Sequence, residues 1–455
     1  RWGESMLSIK DRLAKGKALR SDVPRSSHGE FVRSKAFDPV DLVLSQEKGR
    51  LEDLIPVRRE RMAESAFAFY RAGAELMATD LVSTPRTGVL VQASGDAHVS
   101  NFGWYGSPER SLVFDTNDFD ETHVAAWEWD VKRLAASFAI AGRDNSFDGS
   151  SQRKSARAAV RAYREQMNRF AEQAILDVWY DHISGNRVLE EFREAGRTKK
   201  LRRAKKKIDK AAKKNSTHVL GKIGEFVDGR YRIVDDPPFI VSLRSMDFPQ
   251  DIEEVRGLVH TAFATYQESV DPAVRVLLSK FRIIDVALKV VGVGSVGTRC
   301  YIAMLEGSGP EDILFLQIKE AGRSVLEEEF GDSEWEHSGE RVVHGQRLMQ
   351  TTSDIMLGWT SASSGRHFYV RQLKDMKASP ELDKFDPSDI VKYAKVCGAV
   401  LAHAHARSAD PAVISGYLGS GTVFDGAVAD FSMAYADQNE SDYQAFIARM
   451  ESDNS

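Results

Sequence analysis

Gly95-Asp96-Ala97-His98-Val99-Ser100-Asn101 sets a carboxylate, an imidazole and a carboxamide close together in the chain. About twenty residues on, the apolar run Leu112-Val113-Phe114 leads into Asp115-Thr116-Asn117-Asp118-Phe119-Asp120-Glu121. Phosphoryl transfer asks little covalent chemistry of a protein. It needs a carboxylate to orient the acceptor hydroxyl, and oxygen ligands from a second Asp and an Asn to hold Mg²⁺ on the phosphates of ATP. Asp96, Asn101 and a later Asp supply those groups in that order. The plainer alternative is a polar loop whose Asp and Asn cap its own turns. Against it, Asp115, Asp118, Asp120 and Glu121 crowd four carboxylates into one loop, where they repel one another unless a cation sits among them.

A second string, Gly292-Val293-Gly294-Ser295-Val296-Gly297, lies between Val290-Val291 and Tyr301-Ile302-Ala303. A dinucleotide-binding version would sit between a strand and a helix. Two strand-like flanks instead match the glycine-rich loop that covers ATP phosphates in kinases, or a hairpin with no ligand. Lys319 ends the strand-like ILFLQIK, 22 residues after Gly297, where a kinase lysine reaches the α/β-phosphates. Its carboxylate partner is expected from the next helix, with Glu327, Glu328, Glu329 and Glu340 all eligible. His403 and His405 stand two apart, so on a helix they face different ways and read as packed or capping side chains. Trp127 and Trp129 read as core aromatics, and Asp130 as an acceptor for backbone N–H groups of the 95–101 loop.

The elements that must position these groups follow from periodicity. Residues 1–55 are polar and suggest an arm with short helices at most. A helical pattern begins at Arg58, and short strands at 88–91 and 112–114 flank the first motif. A buried helix is expected from Trp127 to about Ala141. Asp235-Asp236-Pro237-Pro238 punctuates the chain, residues 282–320 read as strand-turn-strand, 367–373 as another strand, and 388–407 as a helix. With 455 residues, two or three structural units are expected. Cys300 and Cys397 make neither a disulfide framework nor a zinc ribbon, and read as buried apolar residues of a protein in a reducing compartment. No signal-peptide-like or membrane-spanning apolar run is visible, so a cytoplasmic enzyme is expected. A net charge of −5 argues against general nucleic-acid binding. One stretch, Arg197–Lys214, holds eleven basic residues and one acidic one, and reads as a solvated helix or a face for an acidic partner.

The strings GDAHVSNFG, LVFDTNDFDET, AAWEWDVKRLAAS, DPPFI, GVGSVGTRCY, QIKEA, RVVHGQRLMQ and HARSAD resemble the bacterial family called domain of unknown function 2252, from about Arg58 to about Gln438. That family is grouped with the protein-kinase-like and aminoglycoside-phosphotransferase-like superfamily. The resemblance implies that Asp96 matches the catalytic-loop Asp, His98 its accompanying His, and Asn101 the Mg²⁺-binding Asn. The metal Asp is Asp118 or Asp115. Asp118 is preferred, because its distance to Trp129-Asp130-Val131 matches that from the metal Asp to the Trp-Asp-Leu helix of aminoglycoside kinases. Gly292, Gly294, Ser295, Gly297 and Lys319 match the parts that clamp ATP.

In an ordinary kinase the glycine loop precedes the catalytic loop, whereas here it follows by about 200 residues. Read cyclically from residue 280 the order recovers, which implies a circularly permuted arrangement. The expected fold is therefore α+β, a protein-kinase-like two-lobed fold. A small antiparallel β lobe spans 281–378, and a larger helical lobe is built from 56–280 and 379–455. The expected activity is ATP- and Mg²⁺-dependent phosphoryl transfer to a hydroxyl of a small molecule or peptide. Nucleotidyl transfer is a related alternative. The rivals are a nucleotide-binding pseudokinase or regulatory scaffold, and a hydrolase with a metal site at 115–121 and no ATP.

Overall fold

The computed structural model describes residues 7–33, 37–184, 216–246, 252–290, 292–373 and 380–453. Within them the chain is mixed α+β, and every sheet is antiparallel. The basic run 197–214 lies outside the described residues.

Four short strands carry the first two acidic motifs. β1 (Leu90–Ala93) pairs with β4 (His123–Ala126), and β2 (Phe102–Gly106) pairs with β3 (Leu112–Thr116). Residues 94–101 join β1 to β2, and residues 117–122 join β3 to β4. Because the outer strands pair with each other and so do the inner ones, this nesting lays the two loops side by side. The N–H of Asn117 donates to the carbonyl of Asn101 at 2.8 Å. β5 (Ile183–Ser184) adds to the free side of β3.

A hairpin of β6 (Gly224–Val227) and β7 (Arg230–Ile233) precedes a six-stranded sheet. That sheet is made of β8 (Ile240–Ser242), β9 (Arg282–Lys289), β10 (Cys300–Glu306), β11 (Ile313–Ala321), β12 (Gly358–Ser361) and β13 (His367–Gln372), in the spatial order β12-β13-β11-β10-β9-β8. Alternation along β11 divides its side chains. Leu314 and Leu316 pack with Tyr266 and Val270 on one face. Phe315, Gln317 and Lys319 face the other way, with Phe315 in a separate cluster beside Ile302, Met304 and Leu373. The glycine-rich string joins β9 to β10, between two strands as its flanks suggested. The sheet begins earlier than the 281 boundary read from sequence. β8 follows directly on the 235–238 punctuation, and the helix Ile252–Ser269 packs through Tyr266 against the sheet.

Helices from both halves of the chain build the rest. α1 (Ile9–Ala18) and α2 (Ala66–Ala72) precede the loops, while α3 (Trp127–Asp144) and α4 (Gly149–Glu172) follow them. α5 (Pro387–Ala406), α6 (Pro411–Leu418) and α7 (Val423–Asp453) close the chain. Trp127, Phe138, Tyr163, Leu401 and Phe424 are buried in one core drawn from α3, α4, α5 and α7. Each such side chain contributes roughly 1.5–3 kcal/mol through burial. Trp127 and Trp129 are core residues, and Cys300 and Cys397 are buried free thiols, as expected. The N-terminal segment packs on the C-terminal helices. Arg20 and Arg25 donate to the carbonyls of Tyr417 and Leu418 at 2.8 and 2.6 Å, and Arg33 bridges Asp80 and Asp442. Among the described residues, no helix is long and apolar enough to cross a membrane.

Candidate active site

The two side-by-side loops and the six-stranded sheet enclose a cleft of about 620 Å³. Asp96, His98, Asn101 and Asp118 line it together with Gly292, Gly294, Ser295 and Lys319. Residues from opposite ends of the sequence thus meet in one cavity. Gly297 turns just outside, where its carbonyl accepts from the N–H of Leu51 at 2.8 Å. Asp115 does not reach the cleft. Its carboxylate accepts from the N–H of Thr116 at 2.8 Å and of Thr351 at 3.4 Å, and burial pushes it up to about 7.

The 94–101 loop is held by one stripe of α3. Asp130 in the first turn accepts from the N–H groups of Ser94 at 2.6 Å and Gly95 at 3.0 Å, the task the sequence suggested for it. One turn on, Arg133 binds Asp96 Oδ1 at 2.6 Å, and after another turn Ser137 Oγ accepts from the N–H of Val99 at 2.9 Å. Positions i, i+3 and i+7 share a helix face, so a single rigid element fixes three points of the loop. Behind Asp130 stands His405, buried, with Nε2 at 3.1 Å from Asp130 and Nδ1 at 2.9 Å from the hydroxyl of Tyr163. His403 meets the carbonyl of Val178 at 2.9 Å. Both histidines are packed side chains with hydrogen-bond partners, as their spacing indicated.

Gly95 has φ of +75°, and a Cβ there would lie 2.4 Å from the carbonyl oxygen of Glu121. Glycine is required here twice over, for the backbone conformation and for the close approach of the acidic loop. His98 caps the turn Val99–Asn101 by accepting the N–H of Ser100 at Nδ1. Burial lowers its pKa to about 4, so the ring is neutral near pH 7 and carries its proton on Nε2. That nitrogen lies 3.6 Å from Asp96 Oδ2. Asn101 donates its amide to the Asp96 carbonyl at 2.8 Å, which leaves its own side-chain oxygen available. Asp96 is thereby oriented by Arg133 on one oxygen and flanked by His98 and Asn101 on the other.

Lys319 is 4% exposed, and its Nζ lies 2.6 Å from Asp120 Oδ2 and 3.6 Å from Asp118 Oδ1. Burial opposes its charge, but Asp118 and Asp120 outweigh burial and raise its pKa. The partner is therefore in the acidic loop and not in the following helix. Glu327 is instead taken by Arg323 and the N–H of Ser324, and Glu340 lies beside His344. Tyr369, the cross-strand neighbour of Lys319, donates to Asp120 Oδ1 at 2.6 Å, and Ser295 Oγ reaches Asp120 at 3.5 Å. On the same face Arg371 binds Gln317 at 3.0 Å and the carbonyl of Asn117 at 3.0 Å. Glu121 accepts from the N–H of Val325 at 2.8 Å, and burial pushes its carboxyl up to about 7.

Arg133, Tyr369 and Arg371 were not singled out from sequence, and Asp120 was named only as one of the crowded carboxylates, not as the partner of Lys319. Arg133 stands three residues after Asp130 on a helix, and Tyr369 and Arg371 alternate on a strand. Those spacings were visible, but nothing in them identified the partners.

The fold is an α+β protein whose cleft gathers carboxylates, a carboxamide, a glycine-rich turn and a buried lysine. The chain belongs to a family of uncharacterized proteins conserved in bacteria, domain of unknown function 2252, whose model matches residues 50–449. No curated protein and no solved structure matches it.

Proposed function

We propose that this protein is a kinase-like phosphotransferase that uses ATP and Mg²⁺ to phosphorylate a hydroxyl group. One observation carries the proposal: Lys319 and the 292–297 turn share a single cleft with Asp96, Asn101 and Asp118. Lysine and glycine turn suit a polyphosphate, and the carboxylate and carboxamide suit an acceptor and a cation. The same meeting supports the circularly permuted, kinase-like arrangement, as does the packing of the N-terminal segment on the C-terminal helices.

Among the described residues no group of three or more His, Cys, Asp or Glu gathers as a metal cage. A sparse donor set fits Mg²⁺, which keeps waters and substrate phosphates among its ligands and takes only one or two protein carboxylates. Asp118 and the free oxygen of Asn101 would hold it, and bound there it would neutralise charge on the phosphates. The rest of the chemistry falls to the chain itself. Asp96 Oδ2 accepts the hydrogen bond of the acceptor hydroxyl and takes its proton as the new P–O bond forms and the bond to the leaving ADP breaks. Arg133 keeps Asp96 in place through the other oxygen, and His98 positions the turn. Lys319, fixed by Asp120, meets the phosphates.

Titration of ATP calorimetrically with and without Mg²⁺, followed by transfer assays with γ- and α-labelled ATP, tests the proposal. Mg²⁺-dependent binding and movement of the γ label are expected. Movement of the α label would establish nucleotidyl transfer, binding without transfer a pseudokinase, and no binding would overturn the proposal.

A further inference from the structure

Lys319 is paired closely with Asp120, but a second set of cations around the same cleft has no such close carboxylate. Arg50 and Arg71 line the cleft. Arg50 is anchored on the glycine-rich turn, donating to the carbonyls of Val296 at 2.6 Å and Gln46 at 2.8 Å. Arg71 ends α2, and its carbonyl oxygen lies 3.4 Å from where a Cβ on Gly294 would stand. Among the described residues its guanidinium makes no hydrogen bond and no ion pair, and its Nε is buried without a partner. Arg58, close by, is fully buried, with Nε and Nη1 making no hydrogen bond and Nη2 on Gln46 at 3.1 Å. The carboxylate nearest to it, Glu47 at 3.8 Å, is already held by Arg59 at 2.7 and 2.9 Å.

Burial lowers the pKa of all three arginines, that of Arg58 to about 9. Glu75 also lines the cleft, and burial pushes its carboxyl up. Asp96, Asp118 and Glu64 act on Arg71, and Glu121, Glu47 and Glu320 on Arg50, but none of them forms an ion pair with these two arginines. Guanidinium groups withdrawn from water without a carboxylate in contact are costly, and their planar forks match phosphate and carboxylate oxygens.

We infer that Arg71 and Arg50, with Arg58 behind them, form an oxyanion subsite of this cleft, separate from Lys319, that takes a phosphate group. In linking the subsite to Asp96 the inference rests on the phosphotransferase proposal: the phosphate belongs either to an acceptor that carries one besides its hydroxyl, or to the nucleotide itself. In both cases the chemistry recognised is a phosphate oxyanion held by arginine forks.

Calorimetric titration of the full chain with inorganic phosphate alone tests the subsite without invoking nucleotide. The wild type should bind, and Arg71→Gln should weaken binding at least about tenfold, as loss of a charged hydrogen-bonding pair does, with its melting temperature retained. Arg71→Lys keeps the charge but loses the planar fork, and its affinity should fall between wild type and Arg71→Gln. Equal binding by wild type and Arg71→Gln, or no binding by the wild type, overturns the inference. Repeating the titration with the protein saturated by Mg²⁺ and a non-hydrolysable ATP analogue separates the sources. Undiminished phosphate binding assigns the subsite to the acceptor, and displacement assigns it to the nucleotide. A protein that binds phosphate through Arg71 but no ATP analogue would keep the subsite and lose the phosphotransferase proposal.

Discussion

Lys319 and Asp120, 199 residues apart in the chain, form a 2.6 Å ion pair at the centre of the cleft. The pair is possible because β11 brings the lysine to the sheet's cleft face while β3 and β4 present the acidic loop to it. Tyr369, opposite Lys319 on β13, then fixes the second oxygen of Asp120. Asp120→Asn weakens the hold on a nearly buried ammonium. A loss of roughly 1–3 kcal/mol in denaturant unfolding is expected, with a raised KM for ATP if Lys319 meets the phosphates. Tyr369→Phe removes a single hydrogen bond and should cost about 1 kcal/mol. Unchanged stability in both variants would show that the triad is not coupled.

Asp118 lines the cleft and Asp115 does not, so the two should separate on substitution. Asp118→Asn is expected to lower phosphoryl transfer by roughly 10²–10³-fold with the fold intact, the size typical of a lost electrostatic contact to developing charge. Asp115→Asn should leave transfer within a few-fold of wild type. Asp96→Asn should abolish transfer while sparing ATP binding, since its partner is the acceptor. Initial rates alongside calorimetric ATP affinities decide among these outcomes.

The pH dependence of stability carries the mark of Asp115. Its folded carboxyl titrates at about 7 against an ordinary 3.8, so the folded state holds that proton more tightly than the unfolded chain. Its contribution is fully present below about pH 4 and is lost as pH rises through 7. Glu121 acts in the same direction. Asp115→Asn should therefore be more stable relative to wild type at pH 8 than at pH 5, which urea unfolding at the two pH values measures. An offset identical at both would contradict the prediction.

Gly95→Ala places a methyl group 2.4 Å from the Glu121 carbonyl at a positive φ. Strain of this kind costs of order 1–3 kcal/mol, and relief requires the two loops to part. A lower melting temperature together with impaired Mg²⁺-dependent ATP binding is expected. Loss of stability with normal binding would mean that the loops need not touch for the site to work.

Much of the site was legible in the sequence because it depends on short-range spacing. Asp96, His98 and Asn101 fall in one loop, the glycines between two strands, and Asp130 at the start of a helix that must pass back under the loop it follows. Residues close in the chain are close in space, so their relation survives whatever the rest of the fold does. The partner of Lys319 was not legible. Expecting it in the next helix assumed that neighbours in sequence would meet, whereas the nested pairing of β1 with β4 and β2 with β3 carries the acidic loop there first. The choice of Asp118 over Asp115 for the cleft likewise depends on where β3 ends: Asp115 still belongs to the strand and turns inward, while Asp118 lies beyond it in the loop. The unmatched Arg50, Arg58 and Arg71 are ordinary arginines on paper. Only burial without a close carboxylate partner, a property of the packed chain and not of any local pattern, sets them apart.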